Sequence, residues 1–487
     1  MTIMLGFIEN VLEDFRHLFR RAAAFKWFVI CVVGMMLRSD KLGVTSIIRD
    51  LALAPDLYES LIHYFRSSAY SLESLREQWC RCVLRRAPLA RCRNRFILVG
   101  DGVKQSKEAR KMPGVKKMSQ ESETCSKPQY IHGHLFGALG IIASIPAKRF
   151  CIPLKVNIQD GLRKAAAWKE SDNVVRISAA NHIEQMIKSA FDSATVMGRC
   201  YILLDRYFLS KTALLFMDKM NSKSSADGGT LLEIVTKAKS NCRAYMKPLP
   251  KRSGARGRPR KKGKQVCLWD LFNHKDRFTQ TWVHLYGKCE CISYYCINLL
   301  WGQGLYKELR FVLVKRTCGE KSILVSTDLT LRPRKVIELY GTRFSIEENF
   351  REMKQQIGAF SYHFWTKYMP RLDHFAIKGT DQLSAILDGH ARKKILDTVK
   401  AIESFVFCAT VATGMLQMIS LSEIISDKVT ELRYLRTYSS KAPSEATVMY
   451  YLRKHIFLLL GKSPKSFITK YISEKQRDDF QQKHTIA

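Results

Sequence analysis

The sequence predicts an α/β fold with helical regions at both ends, and three observations predict it. Short apolar runs with the composition of buried strands cluster in residues 94–250, where they alternate with amphipathic helical stretches. Apolar residues recur at three- and four-residue steps before residue 93 and again after about residue 380. A second group of short strand-like runs fills 251–332, ahead of a further helical stretch at 333–379. The expected organisation is therefore 1–93 helical, 94–250 strand-rich core, 251–332 basic loop and β-rich insertion, 333–379 helical, and 380–487 helical.

Taken in order, residues 1–93 carry capping residues ahead of two helical patterns, one from Gly43 and one from Asp56, joined at Ala54 and Pro55. That pair fits a DNA-binding helix-turn-helix or an ordinary helical bundle. Strands are expected at Phe96 to Asp101, Tyr130 to Ser144, Ile152 to Ile158, Tyr201 to Asp205 and Leu231 to Lys237, with helices at Ala179 to Met197 and Lys211 to Met220. In the insertion the strand-like runs are Ser293 to Leu300, Leu309 to Lys315 and Ser322 to Thr327. Between Lys251 and Lys264 lie eight cations, and the core Arg256-Gly257-Arg258-Pro259 resembles an AT-hook, whose arginines enter a narrow minor groove; a solvated loop has the same composition.

Charge narrows the function classes. Against 44 acidic residues stand 80 Lys and Arg, a net +36 over 487 residues, which points to a polyanionic partner, nucleic acid first. The longest apolar runs, Phe28 to Leu37 and Phe405 to Met418, are shorter than the ~20 residues of a membrane span and are expected to be buried helices; no membrane partner is expected. Glu9, Glu13 and Asp14 precede the first of them, unlike a secretory signal, so a cytoplasmic protein is expected. Fourteen cysteines show no framework, and Cys80, Cys82, Cys289 and Cys291 lack the spacing of a zinc site, so reduced thiols are expected.

The residues that carry chemistry stand on the helical stretch from Tyr340. At roughly 100° per residue, with Tyr340 at zero, Arg343 falls near −60°, Glu347 near −20°, Arg351 near +20° and Lys354 near −40°. One narrow polar stripe results. Leu339, Ile346, Phe350, Met353 and Ile357 form an apolar seam beside it, so a docked helix would present a carboxylate flanked by cations. The spacing Tyr340-x2-Arg343-x3-Glu347-x6-Lys354 resembles the signature of insertion sequence 4 family transposases, among them those of transposons five and ten. The resemblance extends from about residue 43 to 375 and includes Gly358 to Trp365.

That resemblance implies a ribonuclease H-like catalytic core interrupted by a β-rich insertion, and it makes Glu347 the third acid of a DDE triad. It requires two aspartates upstream. Asp101, after Arg95-Phe-Ile-Leu-Val-Gly, and Asp205, after Cys200-Tyr-Ile-Leu-Leu, each follow a short apolar run, where an acid projects at the rim of a sheet. The family further implies two Mg²⁺ or Mn²⁺ ions per active site, with Asp101 bridging both, Asp205 holding one and Glu347 the other. Two such ions serve an in-line phosphoryl displacement.

Along an unbroken helix, Arg343 would lie roughly 6 Å before Glu347 and Lys354 roughly 10 Å beyond it, placing both cations to grip phosphates beside the scissile one, with Tyr340 and Arg351 on the same stripe. Trp301 fits either a base-stacking role or a core position. The implied activity is cut-and-paste DNA transposition: binding of terminal inverted repeats, metal-dependent strand cleavage and strand transfer. The implied partners are double-stranded DNA at transposon ends and target, and a second copy of the chain on paired ends, in a nucleoid-associated setting. Two other readings stay open, a catalytically inactive DNA-binding descendant and a ribonuclease H-like structure-selective nuclease.

Overall fold

A computed structural model of the chain describes residues 2–40, 43–119, 129–146, 148–162, 168, 181–224, 229–250, 258–285, 287–371, 383, 386–422 and 443–477. Five helices lead, α1 (Thr2–Glu13), α2 (Ala22–Leu37), α3 (Thr45–Asp50), α4 (Tyr58–Arg66) and α5 (Leu72–Arg86). Strands β1 (Arg91–Cys92), β2 (Arg95–Ser106), β3 (Lys116–Ser119), β4 (Tyr130–Ile145) and β5 (Lys148–Ile158) follow, then α6 (His182–Met197), β6 (Cys200–Leu204), α7 (Lys211–Ser224) and β7 (Leu232–Ala238). Next come β8 (Arg243–Tyr245), β9 (Gln265–Cys267), β10 (Thr279–Leu285), β11 (Lys288–Trp301), β12 (Lys307–Lys315) and β13 (Lys321–Ser326). Helices close the chain: α8 (Pro333–Thr342), α9 (Ser345–Glu352), α10 (Gly389–Leu421), α11 (Glu445–Gly461) and α12 (Phe467–Ser473). This is a mixed α/β protein with a large sheet and helices at both ends, as expected. It divides into two units, Met1–Leu89 with Gly102–Gln185 and Glu348–Ala487, and Ala90–Asp101 with Met186–Glu347.

The first unit is built around α10. Its Phe405 to Met418 run, expected as a short buried helix, sits inside a 33-residue helix that is apolar and long enough by composition to cross a bilayer, yet the whole apolar window is buried. It packs on β5, α2, α4 and α11. Phe405 meets the rings of Phe65, Tyr362 and Phe364. Gly414 is required here, because a Cβ would stand 2.3 Å from Trp79 Cζ2 while the Trp79 indole is fixed by donating to Pro153 O at 2.8 Å. The α2 run expected to be buried is so, from Phe28 to Leu37. The helix-turn-helix pattern resolves into the six-residue α3, a single turn Pro55–Leu57 and the nine-residue α4.

His134 on β4 is fully buried in this unit. Its Nε2 lies 2.8 Å from Pro113 O, which only accepts, so Nε2 carries the proton and Nδ1 accepts from Tyr362 Oη at 2.6 Å. Burial first, with the nearby Lys107 ammonium adding to it and the Pro113 carbonyl opposing, lowers its pKa to about 4. The unfolded imidazole, near 6.5, therefore takes up a proton before the folded one does. Stability is full above pH 6.5 and falls as pH drops toward 4, by up to about 3 kcal/mol from this group. In thermal unfolding from pH 7 to 4, the wild type should lose more stability than His134→Gln; equal losses would contradict this.

In the second unit β6 runs parallel to β2 on one side and to β7 on the other. From β7 the sheet continues without a break: β13 pairs antiparallel with β7, β12 with β13, and β11 with β12. β10 and β8 both pair with β11, and β9 with β8. The insertion expected from sequence therefore adds its strands to the core sheet instead of closing a sheet of its own. Ile323, Leu324 and Val325 of β13 are all buried, which is the demand of a strand covered on both faces.

Candidate functional site

Asp101 and Asp205 are brought together by strand register. On the parallel pair β2 and β6, Gly100 stands opposite Leu204, so the next residue on each chain is one of the two aspartates. Neighbouring strands lie about 4.8 Å apart, and residues at one register position face the same way. Gly100 permits the close fit beneath, since a Cβ there would meet Met186 Sδ at 2.7 Å and Leu204 Cδ2 at 2.9 Å. Thr236 of β7 donates its hydroxyl to Asp205 O at 2.9 Å and pins the end of β6. One expectation changes: β2 does not stop at Asp101 and Gly102 but runs on to Ser106, so this acid lies within a strand while Asp205 lies just past one.

The signature stretch is not one unbroken helix. α8 ends at Thr342, Arg343 and Phe344 form a break, α9 runs from Ser345 to Glu352, and Met353–Ile357 winds into a π turn that ends at Gly358 with φ 64°. Two local causes are visible at the first break. Gly341 is a weak helix former at which an added Cβ would stand 2.5 Å from Leu285 Cδ2, and Thr342 turns its hydroxyl back to Leu339 O at 2.7 Å. The apolar seam survives the break, with Leu339, Ile346, Phe350, Met353 and Ile357 all buried.

Arg343 caps α8 with helical dihedrals and bonds two of the acids. Its Nη1 donates to Asp101 Oδ2 at 3.3 Å and its Nη2 to Glu347 Oε1 at 2.5 Å, so one guanidinium spans two of the three acids, one of them 242 residues away in sequence. The Tyr340 ring lies 5.9 Å from its Cζ. Burial pulls the Arg343 pKa down, but Tyr340, Glu347 and Asp101 outweigh it and the net direction is up, so the group is a permanent cation. The Arg343 side chain is only 15% exposed, against 42% for Glu347 and 23% for Asp101, so the carboxylates remain the accessible part of the cluster.

The other sequence-derived residues scatter. Arg351 is exposed and pairs with Glu352 at 3.2 Å. Lys354, carried on the π turn instead of a regular helix, donates to Lys104 O at 3.3 Å. Trp301 ends β11 half-buried, with its Nε1 donating to Cys242 Sγ at 3.3 Å. Arg258 is exposed, and Arg256 lies outside the described residues. Sequence reading missed an open basic cleft of about 690 Å³ lined by Arg110, Lys111, Lys367, Arg371 and the ring of Tyr368. Its cations come from two segments some 250 residues apart, so no single run marks them; Thr366 N donating to Lys111 O at 3.2 Å ties the segments together.

As a place for a divalent cation, the site has the right donor chemistry, three hard carboxylate groups, two of which directly follow the last paired residues of β2 and β6. Their side chains stand apart from a closed cage. Among the described residues no three His, Cys, Asp or Glu are gathered into a metal-holding group, and Arg343 occupies an oxygen on two of the three acids. The cysteines described are free thiols, most of them buried.

No protein-family model and no curated protein matches the sequence. Among solved structures, the chain is similar to one from a cryo-EM structure of a piggyBac transposase synaptic complex with hairpin DNA, at 12% identity and a TM-score of 0.33 over 98% of this chain and 83% of that one.

Proposed function

We propose that this protein is a DNA transposase of the DDE type, acting on phosphodiester bonds through Asp101, Asp205 and Glu347. One observation carries the reading: the β2–β6 ladder ends one residue before Asp101 and one before Asp205, while a single guanidinium ties Asp101 to Glu347. The parallel order β2-β6-β7 supports a ribonuclease H-like core. The net charge of +36 supports DNA as the partner.

In this reading the acids would hold Mg²⁺ or Mn²⁺, which when bound makes the attacking hydroxyl more acidic and neutralises the departing oxygen. The remaining work falls to the chain itself. β2 and β6 would set the spacing of the two aspartates, the buried seam of α8 and α9 would steady Glu347, and the Tyr340 and Arg343 donors would orient the strand, which is catalysis by positioning. Joining requires that the 3′-hydroxyl released by cleavage stay in the site and attack a second phosphodiester.

A strand-transfer assay tests this directly, using Mg²⁺ and duplex DNA that carries the sequences flanking the reading frame and ends in free 3′-hydroxyls. The proposal expects joined product. Hydrolysis without joining would make the protein a nuclease, and binding without either would make it an inactive descendant. For the basic cleft, replacing Arg110, Lys367 and Arg371 with Gln should lower the slope of log affinity against log salt by about 0.9 for each phosphate no longer neutralised. An unchanged slope would mean that DNA does not run through the cleft.

A further inference from the structure

Asp101 and Glu347 reach the same cation from opposite sides, and that cation belongs to the protein. Arg343 offers Nη1 to one and Nη2 to the other, at 3.3 and 2.5 Å, from a position 15% exposed. Two carboxylates this close repel each other unless a positive charge stands between them, and a forked guanidinium supplies it with directed hydrogen bonds. The contact to Glu347 is the i,i+4 pairing that helical spacing provides, and the same side chain also reaches Asp101 of β2.

We propose that Arg343 is a competitor for the oxygens that a divalent cation would take, and that a DNA phosphate relieves the competition. This rests on the function proposed above. Asp101 Oδ2 and Glu347 Oε1 cannot be fully committed to the guanidinium and to a metal ion together. A phosphate oxygen is the other natural partner of a guanidinium fork, so a strand entering the cluster draws Arg343 off the carboxylates. Tyr340, whose ring stands 5.9 Å from the guanidinium carbon, gives the fork a surface to lean on in either position. Metal and DNA then bind cooperatively, each raising the affinity for the other by the same factor. Asp205, which the guanidinium does not touch, is outside the competition. Arg343 is therefore a positioning residue that keeps the acids paired until substrate arrives.

The test is Mn²⁺ binding to the full chain, read by electron paramagnetic resonance or calorimetry, with and without a short blunt duplex, in wild type, Arg343→Gln, Arg343→Lys and Asp101→Asn. Without DNA, Arg343→Gln should bind Mn²⁺ about tenfold more tightly than wild type, the size of effect expected when a charge-assisted hydrogen bond no longer opposes binding. DNA should tighten Mn²⁺ binding in wild type and leave Arg343→Gln unchanged. Arg343→Lys, which keeps the charge without the fork, should fall between them and carries the test should the glutamine variant fail to fold, which a thermal unfolding scan reports. Equal or weaker Mn²⁺ binding by the folded Arg343 variants overturns the inference while leaving the proposed function standing. Absence of any Mn²⁺ binding that Asp101→Asn abolishes overturns both.

Discussion

Glu347→Gln is expected to abolish the proposed strand cleavage, by at least about a thousandfold in rate, while affinity for duplex DNA stays within about twofold. The substitution keeps the shape of the side chain and an oxygen that can still accept from Arg343 Nη2, so α9 and its buried seam are undisturbed. What it removes is one negative charge from the proposed cluster whose third member, Asp205, follows β6 and is pinned through its carbonyl by Thr236. A hard divalent cation depends on that charge. Asp205→Asn should behave the same way, and the double variant should be no worse than either single one, because residues that act as a unit are not additive. Single-turnover cleavage and gel-shift affinity on the same preparations give both numbers. Proportionate loss of binding and cleavage would mean that Glu347 serves DNA affinity.

Arg76→Met destabilises the first unit by about 3–5 kcal/mol. Arg76 on α5 is buried, with Nη2 donating to Glu403 of α10 at 2.9 Å and Nη1 to Glu73 at 2.7 Å. Burial alone would lower its pKa, but Glu403 and Glu73 outweigh it and hold it fully charged. Removing it leaves the Glu403 carboxylate, itself 5% exposed, without its cation and dependent on the Ile158 N–H at 3.1 Å. The double variant Arg76→Met with Glu403→Leu should recover most of the loss, since an apolar pair of similar volume carries no desolvation cost. Denaturant unfolding of the three variants is the measurement. A loss below about 1 kcal/mol for Arg76→Met alone would mean that water reaches the pair.

Local pattern carried much of this fold. Continuous apolar runs marked β6 and β7 within a residue or two and lay inside α2, and three- and four-residue steps marked α3 and α4. Pairings distant in sequence were not legible. That β13 joins β7, with Val325 opposite Thr236, depends on about ninety residues of intervening chain that no window contains. The length of α10 was hidden too, because its first turns, from Gly389 to Lys394, are polar and only its later turns carry the apolar run.

At the site, the apolar seam of the signature stretch was readable from Leu339 to Ile357, and the polar stripe was drawn on a helix that in fact breaks at Arg343. Periodicity could not see that break, because its causes are a close approach of Leu285 of β10 to Gly341 and a hydroxyl returning to the backbone at Thr342. Arg343, read as a phosphate ligand, also stands between two acids, a placement that requires β2 and α9 to be side by side.

The proposed convergence of Asp101, Asp205 and Glu347 on one cation position is tested most directly by iron-directed backbone cleavage, without any DNA sequence being known. Fe²⁺ added with ascorbate and peroxide generates hydroxyl radical where the metal sits, and mass spectrometry maps the cuts. Cuts are expected to cluster around residues 101, 205 and 347 together, all suppressed by excess Mg²⁺ and all lost in Asp205→Asn. Cuts at only one of these segments, or a pattern that Asp205→Asn leaves intact, would contradict it.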